Sequence, residues 1–328
     1  MRGMRDKLQN IVVIESLKIL SEFSKPLSLN EILKLLRERK LNFDSQSLKY
    51  WINKMREEGY IKGSNGEGWV ITNDGLELLQ ENTVFERVGE FKDSIEDTLL
   101  LSSFDLYQMK GSVPVIIGII NKDFIDLAIK NMYEVSRAGL VLSDLIKIVD
   151  ETEVLGELEI PPGKIAISVL SSAIYDIIFR NIYISLETQA AGLFKFENFN
   201  PRGLVELISH SGTTMSPGLL FLRGNYTSVV KVASEGEGYA VVVIKGVNPR
   251  LVDLVERELF LAEARGIRRP LAILHPTQGL LFDKKAKIIF LAGLNFLAPL
   301  YEINLKPELL VNEILIDFSE LKPVEKYL

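Results

Sequence analysis

The chain has 328 residues, 47% of them hydrophobic and 25% charged, with a formal net charge of −6 and no cysteine. That length suits roughly two domains and that composition a soluble globular protein, while the missing cysteines exclude disulfides, thiolate metal sites and a thiol nucleophile. The acidic total argues against a chain coated in basic residues, yet residues 1–60 hold twelve Lys/Arg against eight Asp/Glu, which reads as a small basic module fused to an acidic body.

Residues 1–10 lack the apolar stretch of a secretory signal. The longest apolar run, 288–300, is interrupted by Asn295 and falls short of the roughly 18 residues of a spanning helix. No membrane association is expected, and a reducing cytoplasm fits the absence of cysteine.

In chain order, Ile11, Ile14, Leu17, Leu20 and Phe23 recur at three-residue spacing and predict an amphipathic helix that stops near Pro26. A second helix begins at Ser28, with Glu31 three residues on completing a capping box, and runs to about Arg39. A third starts at Asp44, a good N-cap, and ends before Gly59. Tyr60-Ile61 and Trp69-Val70-Ile71 are β-prone runs separated by turn chemistry at 62–68. A last short helix runs from Asn73 through Leu79. Three helices and a two-stranded wing predict a winged helix-turn-helix over residues 1–80.

In the third helix, Leu48, Ile52 and Met55 share the core face, while Gln46, Lys49, Tyr50 and Asn53 lie opposite. Amide and cationic side chains at that spacing can read base edges in a major groove, with Lys54, Arg56 and wing Lys62 on phosphates. The same residues also read as a solvated face, and winged helices also serve as protein-interaction modules.

Residues 81–328 form the second predicted domain. Residues 84–101 read as a connecting helical segment. The apolar run 113–120 is a strand, followed by a helix from an Asp123 cap to Gly139 and strands at 145–149 and 164–170. The pattern recurs with a strand at 239–244, a helix opened by Asn248-Pro249 and closed by Gly266, and strands at 271–274 and 287–292, with Gly279 between them. The fold class is therefore α/β (mixed α+β): a winged helix-turn-helix followed by an α/β regulatory domain built from a duplicated β-α-β-β unit, its halves at about 102–200 and 229–328.

The segment between the halves is the least regular and most polar. It carries His210-Ser211-Gly212-Thr213-Thr214 and Gly224-Asn225-Tyr226-Thr227-Ser228, in which hydroxyls and backbone N–H groups suit a carboxylate or phosphate; the same residues commonly cap helices and fill turns. No nucleophile elbow, HExxH, Walker loop or dinucleotide fingerprint is present. The two histidines, His210 and His275, have no acidic partner at a metal-ligand offset. The expectation is a non-enzyme with no cofactor and no metal.

These residues resemble the NrpR family of archaeal nitrogen regulators over nearly the whole chain. The likeness rests on Ser47-Leu48-Lys49-Tyr50 through Glu58-Gly59-Tyr60, on Val70-Ile71-Thr72 and Gly75, and on Val84-Phe85-Glu86-Arg87-Val88-Gly89. It continues in Ala138-Gly139-Leu140, Ser143-Asp144, Gly212-Thr213-Thr214, Tyr226-Thr227-Ser228-Val229 and Gly293-Leu294-Asn295. It implies a homodimeric repressor of nitrogen-assimilation genes that binds palindromic double-stranded DNA operators and releases them when 2-oxoglutarate binds. The effector positions are then Ser171, Ser172, Arg202, His210, Thr213, Thr214, Thr227 and Ser228, with Arg202 as the cation for a small anionic metabolite. Ser211 and Ser216 stand where family members often carry acidic residues, and Leu170-Ser171 where a cysteine-serine pair is often found. A second reading is a DNA-tethered adaptor whose C-terminal domain binds a protein partner.

Overall fold

The computed structural model describes residues 2–64, 66–83, 90–156, 158–276 and 284–328. The chain divides into two compact units, Met1–Arg87 and Val88–Leu328. The resemblance motif at 84–89, the first part of the predicted connecting helix, and Gly279 lie outside the described residues.

The first unit contains α1 (Arg2–Ser21), α2 (Leu29–Glu38), α3 (Ser45–Glu57), β1 (Ile61–Ser64), β2 (Gly68–Ile71) and α4 (Asn73–Asn82). Local chemistry sets its boundaries. Glu31 N donates to Ser28 Oγ (3.3 Å) and Ser28 N to the Glu31 carboxylate (2.7 Å), the reciprocal cap that opens α2. Ser47 N donates to Asp44 at 2.8 Å and opens α3. Leu17, Leu20, Ile32, Leu36, Leu48, Ile52, Met55 and Trp69 pack into one apolar cluster. The wing is pinned to the α1–α2 connection by Leu27 and Trp69, which exchange backbone hydrogen bonds of 3.0 and 2.8 Å. α1 starts well before Ile11, since apolar periodicity marks only those turns that carry an apolar face.

The second unit runs α5 (Glu90–Leu101), β3 (Ser112–Asn121), α6 (Ile125–Arg137), β4 (Leu145–Val149), β5 (Val154–Leu155), β6 (Leu158–Glu159), β7 (Lys164–Leu170) and α7 (Ile174–Arg180). It continues with β8 (Glu187–Glu197), β9 (Asn200–Ser209), α8 (Pro217–Arg223), α9 (Val229–Glu235), β10 (Gly238–Val247), α10 (Val252–Ala264), β11 (Ala272–Leu274) and β12 (Ala286–Leu291). It closes with α11 (Ala298–Glu302), β13 (Glu308–Asp317) and β14 (Lys322–Pro323).

Two five-stranded sheets have the orders β13-β3-β7-β4-β14 and β11-β12-β10-β8-β9, with antiparallel pairing throughout. Within them, β3-β7-β4 and β10-β12-β11 share one arrangement: the third strand in sequence inserts between the first and second. Each first strand ends in or is followed by an asparagine whose side chain accepts a backbone N–H two residues on, Asp123 N for Asn121 and Arg250 N for Asn248. Each then passes through a short 3-10 turn into a 13-residue helix, α6 or α10. The cap expected at Asp123 therefore belongs to Asn121, and Asp123 is the donor.

The strand following each set crosses to the opposite sheet. β8 leaves the first set and pairs with β10, whereas β13 leaves the second and pairs with β3. Residues 187–209 form the long β8–β9 hairpin, so 201–209, expected to belong to the irregular segment between the halves, are strand instead. Ala190, Ala191 and Gly192 give β8 little strand propensity, and its place in the sheet is fixed by burial between β9 and β10.

Two apolar clusters fill the unit, each drawing on strands of both sheets. Where β12 ends, the fully buried Asn295 continues the ladder with its side chain: Val241 N donates to Asn295 Oδ1 and Asn295 Nδ2 donates to Val241 O, both at 2.8 Å. Asn295→Ala leaves the buried Val241 N–H without its acceptor, while the Val241 carbonyl keeps Ala292 N at 3.0 Å, and the expected loss is about 1–3 kcal/mol of unfolding free energy. Urea denaturation followed by tryptophan-independent far-UV dichroism measures it; a loss below about 0.5 kcal/mol is what a surface position gives.

Candidate functional site

In the first unit the outward face of α3 is displayed by its capped start and buried inner face. Gln46, Lys49, Tyr50 and Arg56 are exposed, as is Lys62 on β1, whereas Asn53 and Lys54 are half-buried. Lys54 lies 5.1 Å from the centre of the Trp51 ring and 3.9 Å from Glu58, so its charge is partly engaged within the helix. Tyr50, 61% exposed, meets Trp51 edge-on at 5.0 Å. Gln46, Lys49, Tyr50 and Asn53 follow the i, i+3, i+4, i+7 spacing of one helical stripe.

In the second unit a cavity of about 40 Å³ opens where the ends of β7 and β12 approach one another. Gly293 makes the approach possible, because a Cβ there would lie 2.1 Å from the Leu170 carbonyl oxygen. Ser171 and Ser172, at the end of β7, line the cavity with Asp176 of α7, Thr188 of β8, His210, Ser216 and Lys245 of β10. Lys245 is 2% exposed and Asp176 6%. The Lys245 ammonium donates to Asp176 Oδ2 at 2.5 Å and to Thr188 Oγ1 at 2.6 Å. Burial pushes the Asp176 carboxyl up from its ordinary value, against the pull of the lysine. Burial, helped by the Lys245 charge, lowers His210 to about 4, so the imidazole is neutral near pH 7. The site thus combines serine and threonine hydroxyls, a neutral ring and an ammonium, groups able to hold a carboxylate.

Of the effector positions expected from the sequence, Ser171, Ser172 and His210 meet in this cavity. Thr213 and Thr214 follow His210 in the same turn, half-buried, with Thr213 Oγ1 donating to the His210 carbonyl at 3.4 Å. Arg202 stands elsewhere: it is exposed near the start of β9 and lies 3.2 Å from Glu197. Ser228 accepts from Tyr239 N at 2.9 Å where β10 begins, far along the strand from Lys245, and the buried Thr227 precedes it. Lys245, Asp176 and Thr188 escape sequence reading. The available signal is a single charge inside an apolar run, Lys245 in β10 and Asp176 among the isoleucines of α7. Among the described residues no group of three or more His, Asp or Glu could hold a metal ion, and no helix is long and apolar enough to cross a membrane.

The depressed His210 pKa has a definite sign. In the unfolded chain the ring takes up a proton below about 6.5, whereas in the fold it resists until about 4. Its contribution is complete above pH 6.5 and is lost as pH falls towards 4, by about 3 kcal/mol in total. His210→Asn removes that part of the slope, which unfolding curves at stepped pH would reveal; an unchanged slope shows that His210 does not cause it.

Two family descriptions match the chain. NrpR regulatory domains NRD1 and 2 match residues 88–323, and a ribonuclease R winged-helix domain matches residues 14–79. The global nitrogen regulator NrpRI of Methanosarcina mazei is 24% identical over 95% of this chain and 97% of its own length. The global nitrogen regulator NrpR of Methanocaldococcus jannaschii is 25% identical over 96% of this chain, which spans 55% of that protein. The corresponding regulator of Methanococcus maripaludis is 24% identical over 69% of this chain and 39% of its own length. In fold, the chain is similar to a nitrogen repressor-like protein from Methanococcus jannaschii, whose crystal structure superposes with a TM-score of 0.58 at 20% identity over 71% of this chain and 97% of that one. With the regulatory-domain description matching almost the whole of the second unit, the chain belongs to the NrpR regulatory-domain family.

Proposed function

We propose that the chain is a DNA-binding transcriptional regulator, a homodimeric repressor of nitrogen-assimilation genes that leaves palindromic operators when 2-oxoglutarate occupies the second unit. The observation that carries this reading is the pairing, in one chain, of an exposed polar stripe on α3 with a buried, hydroxyl-lined cavity that contains an ammonium. The first can contact duplex DNA and the second can take a small anion. The names of the relatives supply nitrogen regulation.

Gln46, Lys49, Tyr50 and Asn53 face base edges in this reading, and Arg56 and Lys62 face phosphates, with Lys54 contributing from the end of the helix. β9 is a sheet edge exposing Val205 and Leu207, 45% and 56% accessible. An exposed apolar strand edge is where a second copy adds most readily, and we assign it to the dimer. Two winged helices then address the two half-sites of a palindrome.

Lys49→Ala is expected to weaken operator binding by about five- to a hundredfold if the lysine reads a base, with relaxed sequence preference, or to lower the salt dependence if it meets a phosphate. Quantitative gel shift against specific and scrambled duplexes separates the two; unchanged affinity and salt slope remove Lys49 from the contact. Calorimetric titration with 2-oxoglutarate is expected to give saturable heat with one site per chain, and the same ligand is expected to release the operator in the gel shift. Absence of heat together with undisturbed operator binding would overturn 2-oxoglutarate as effector.

A further inference from the structure

Taking the cavity as the effector site, a step that rests on the function proposed above, we infer that Lys245 receives the effector's carboxylate and that Asp176 holds that place in the ligand-free chain. Binding is then an exchange of one carboxylate for another on a single buried ammonium.

Three features converge on this pair. First, the pair is costly as a structural element. Both groups are almost wholly buried, and a buried ion pair is often no more stabilising than apolar residues of similar volume. Lys245 interrupts the otherwise apolar sequence of β10, and Asp176 does the same in α7, where Ile174, Tyr175, Ile177, Ile178 and Phe179 are all buried.

Second, Asp176 stands between two spaces. It lines the 40 Å³ cavity and also an open groove of about 490 Å³ bounded by Glu96, Leu99, Arg180 and Tyr183. The inner space holds about three water molecules, too little for a five-carbon dicarboxylate. A ligand entering it needs the volume of the Asp176 carboxylate as well as its counter-ion, and the groove offers the displaced side chain a route to solvent.

Third, α7 is tied at its far end to α5 and the residues that follow it. The Arg180 guanidinium donates to the Leu99 carbonyl and, at 2.9 Å, to the Ser102 carbonyl, while Asn181 Nδ2 donates to the Phe104 carbonyl at 2.7 Å. α5 is the first helix of the second unit, and its Ile95 also lines the cavity. A shift of Asp176 therefore acts on the helix that stands nearest in sequence to the winged unit.

The pairing is tested on the full chain by chemical rescue. Asp176→Ala leaves Lys245 without its carboxylate and makes room for acetate. Sodium acetate, compared with sodium chloride at equal ionic strength, is expected to raise the melting midpoint of Asp176→Ala saturably while leaving the wild type and the double variant Asp176→Ala/Lys245→Met unmoved. No acetate-specific rise, or a rise that persists in the double variant, overturns the inference. If Asp176→Ala does not fold, Asp176→Asn keeps the shape, and 2-oxoglutarate is expected to bind it about tenfold more tightly than the wild type because the internal competitor is gone; equal or weaker binding counts against the exchange.

Titration of Lys245→Met with 2-oxoglutarate is expected to show at least about a hundredfold loss of affinity, the scale of truncating a buried charge partner. Equal binding to wild type and Lys245→Met sinks the role of Lys245 and leaves the effector reading standing. Acetate rescue without any 2-oxoglutarate binding to the wild type does the reverse: the carboxylate seat stands and the effector is another acid.

Discussion

The architecture of the second unit depends on reciprocal strand exchange. β8 grows out of the first β-α-β-β set and completes the second sheet, and β13 grows out of the second and completes the first. Neither sheet is whole without the other half, so the two apolar clusters, each fed by both sheets, form together. The exchange also fixes the site. Ser171, Ser172 and Asp176 follow β7, Lys245 and Gly293 belong to the second set, and Thr188 lies on the exchanged strand. A cavity assembled from both halves and a crossing strand senses any change in how those parts meet, and the bare backbone of Gly293 against Leu170 sets how closely they can.

Features governed by neighbours in sequence were legible beforehand. The Ser28–Glu31 box and the Asp44 cap are chemistry between residues three apart, so they place α2 and α3 to within a residue. The strands at 145–149 and 164–170 agree with their apolar runs. The β8–β9 hairpin was hidden because its alanines and glycine carry no strand preference of their own, and burial by partners distant in sequence places them there.

The site was legible only in part for the same reason. Thr213 and Arg202 lie close in sequence, but most of the extended strand β9 separates Arg202 from His210, a span of about 25 Å at strand rise. The cation that lines the cavity is Lys245 rather than Arg202, and its partner Asp176 is 69 residues away. A lone lysine in a buried strand announces an obligation to be paired, yet nothing in the strand itself says where the pair will come from.

An ammonium that exchanges one carboxylate for another gains little net Coulomb energy, because the attraction to the newcomer replaces an attraction already present. Affinity must then come from what the newcomer adds: hydroxyl contacts from Ser171, Ser172 and Ser216, and relief of the desolvation borne by Asp176 once it reaches the groove. The differential between the two states is correspondingly modest, and a modest differential suits a sensor, since allosteric coupling of about 1–3 kcal/mol is enough to change operator affinity by five- to 150-fold. A tighter site with an empty, unopposed lysine would saturate at low ligand and lose its response. In the proposed exchange Asp176, by occupying the seat itself, would set the concentration at which the ligand-bound arrangement takes over, and α7 would carry that competition to α5 through Arg180.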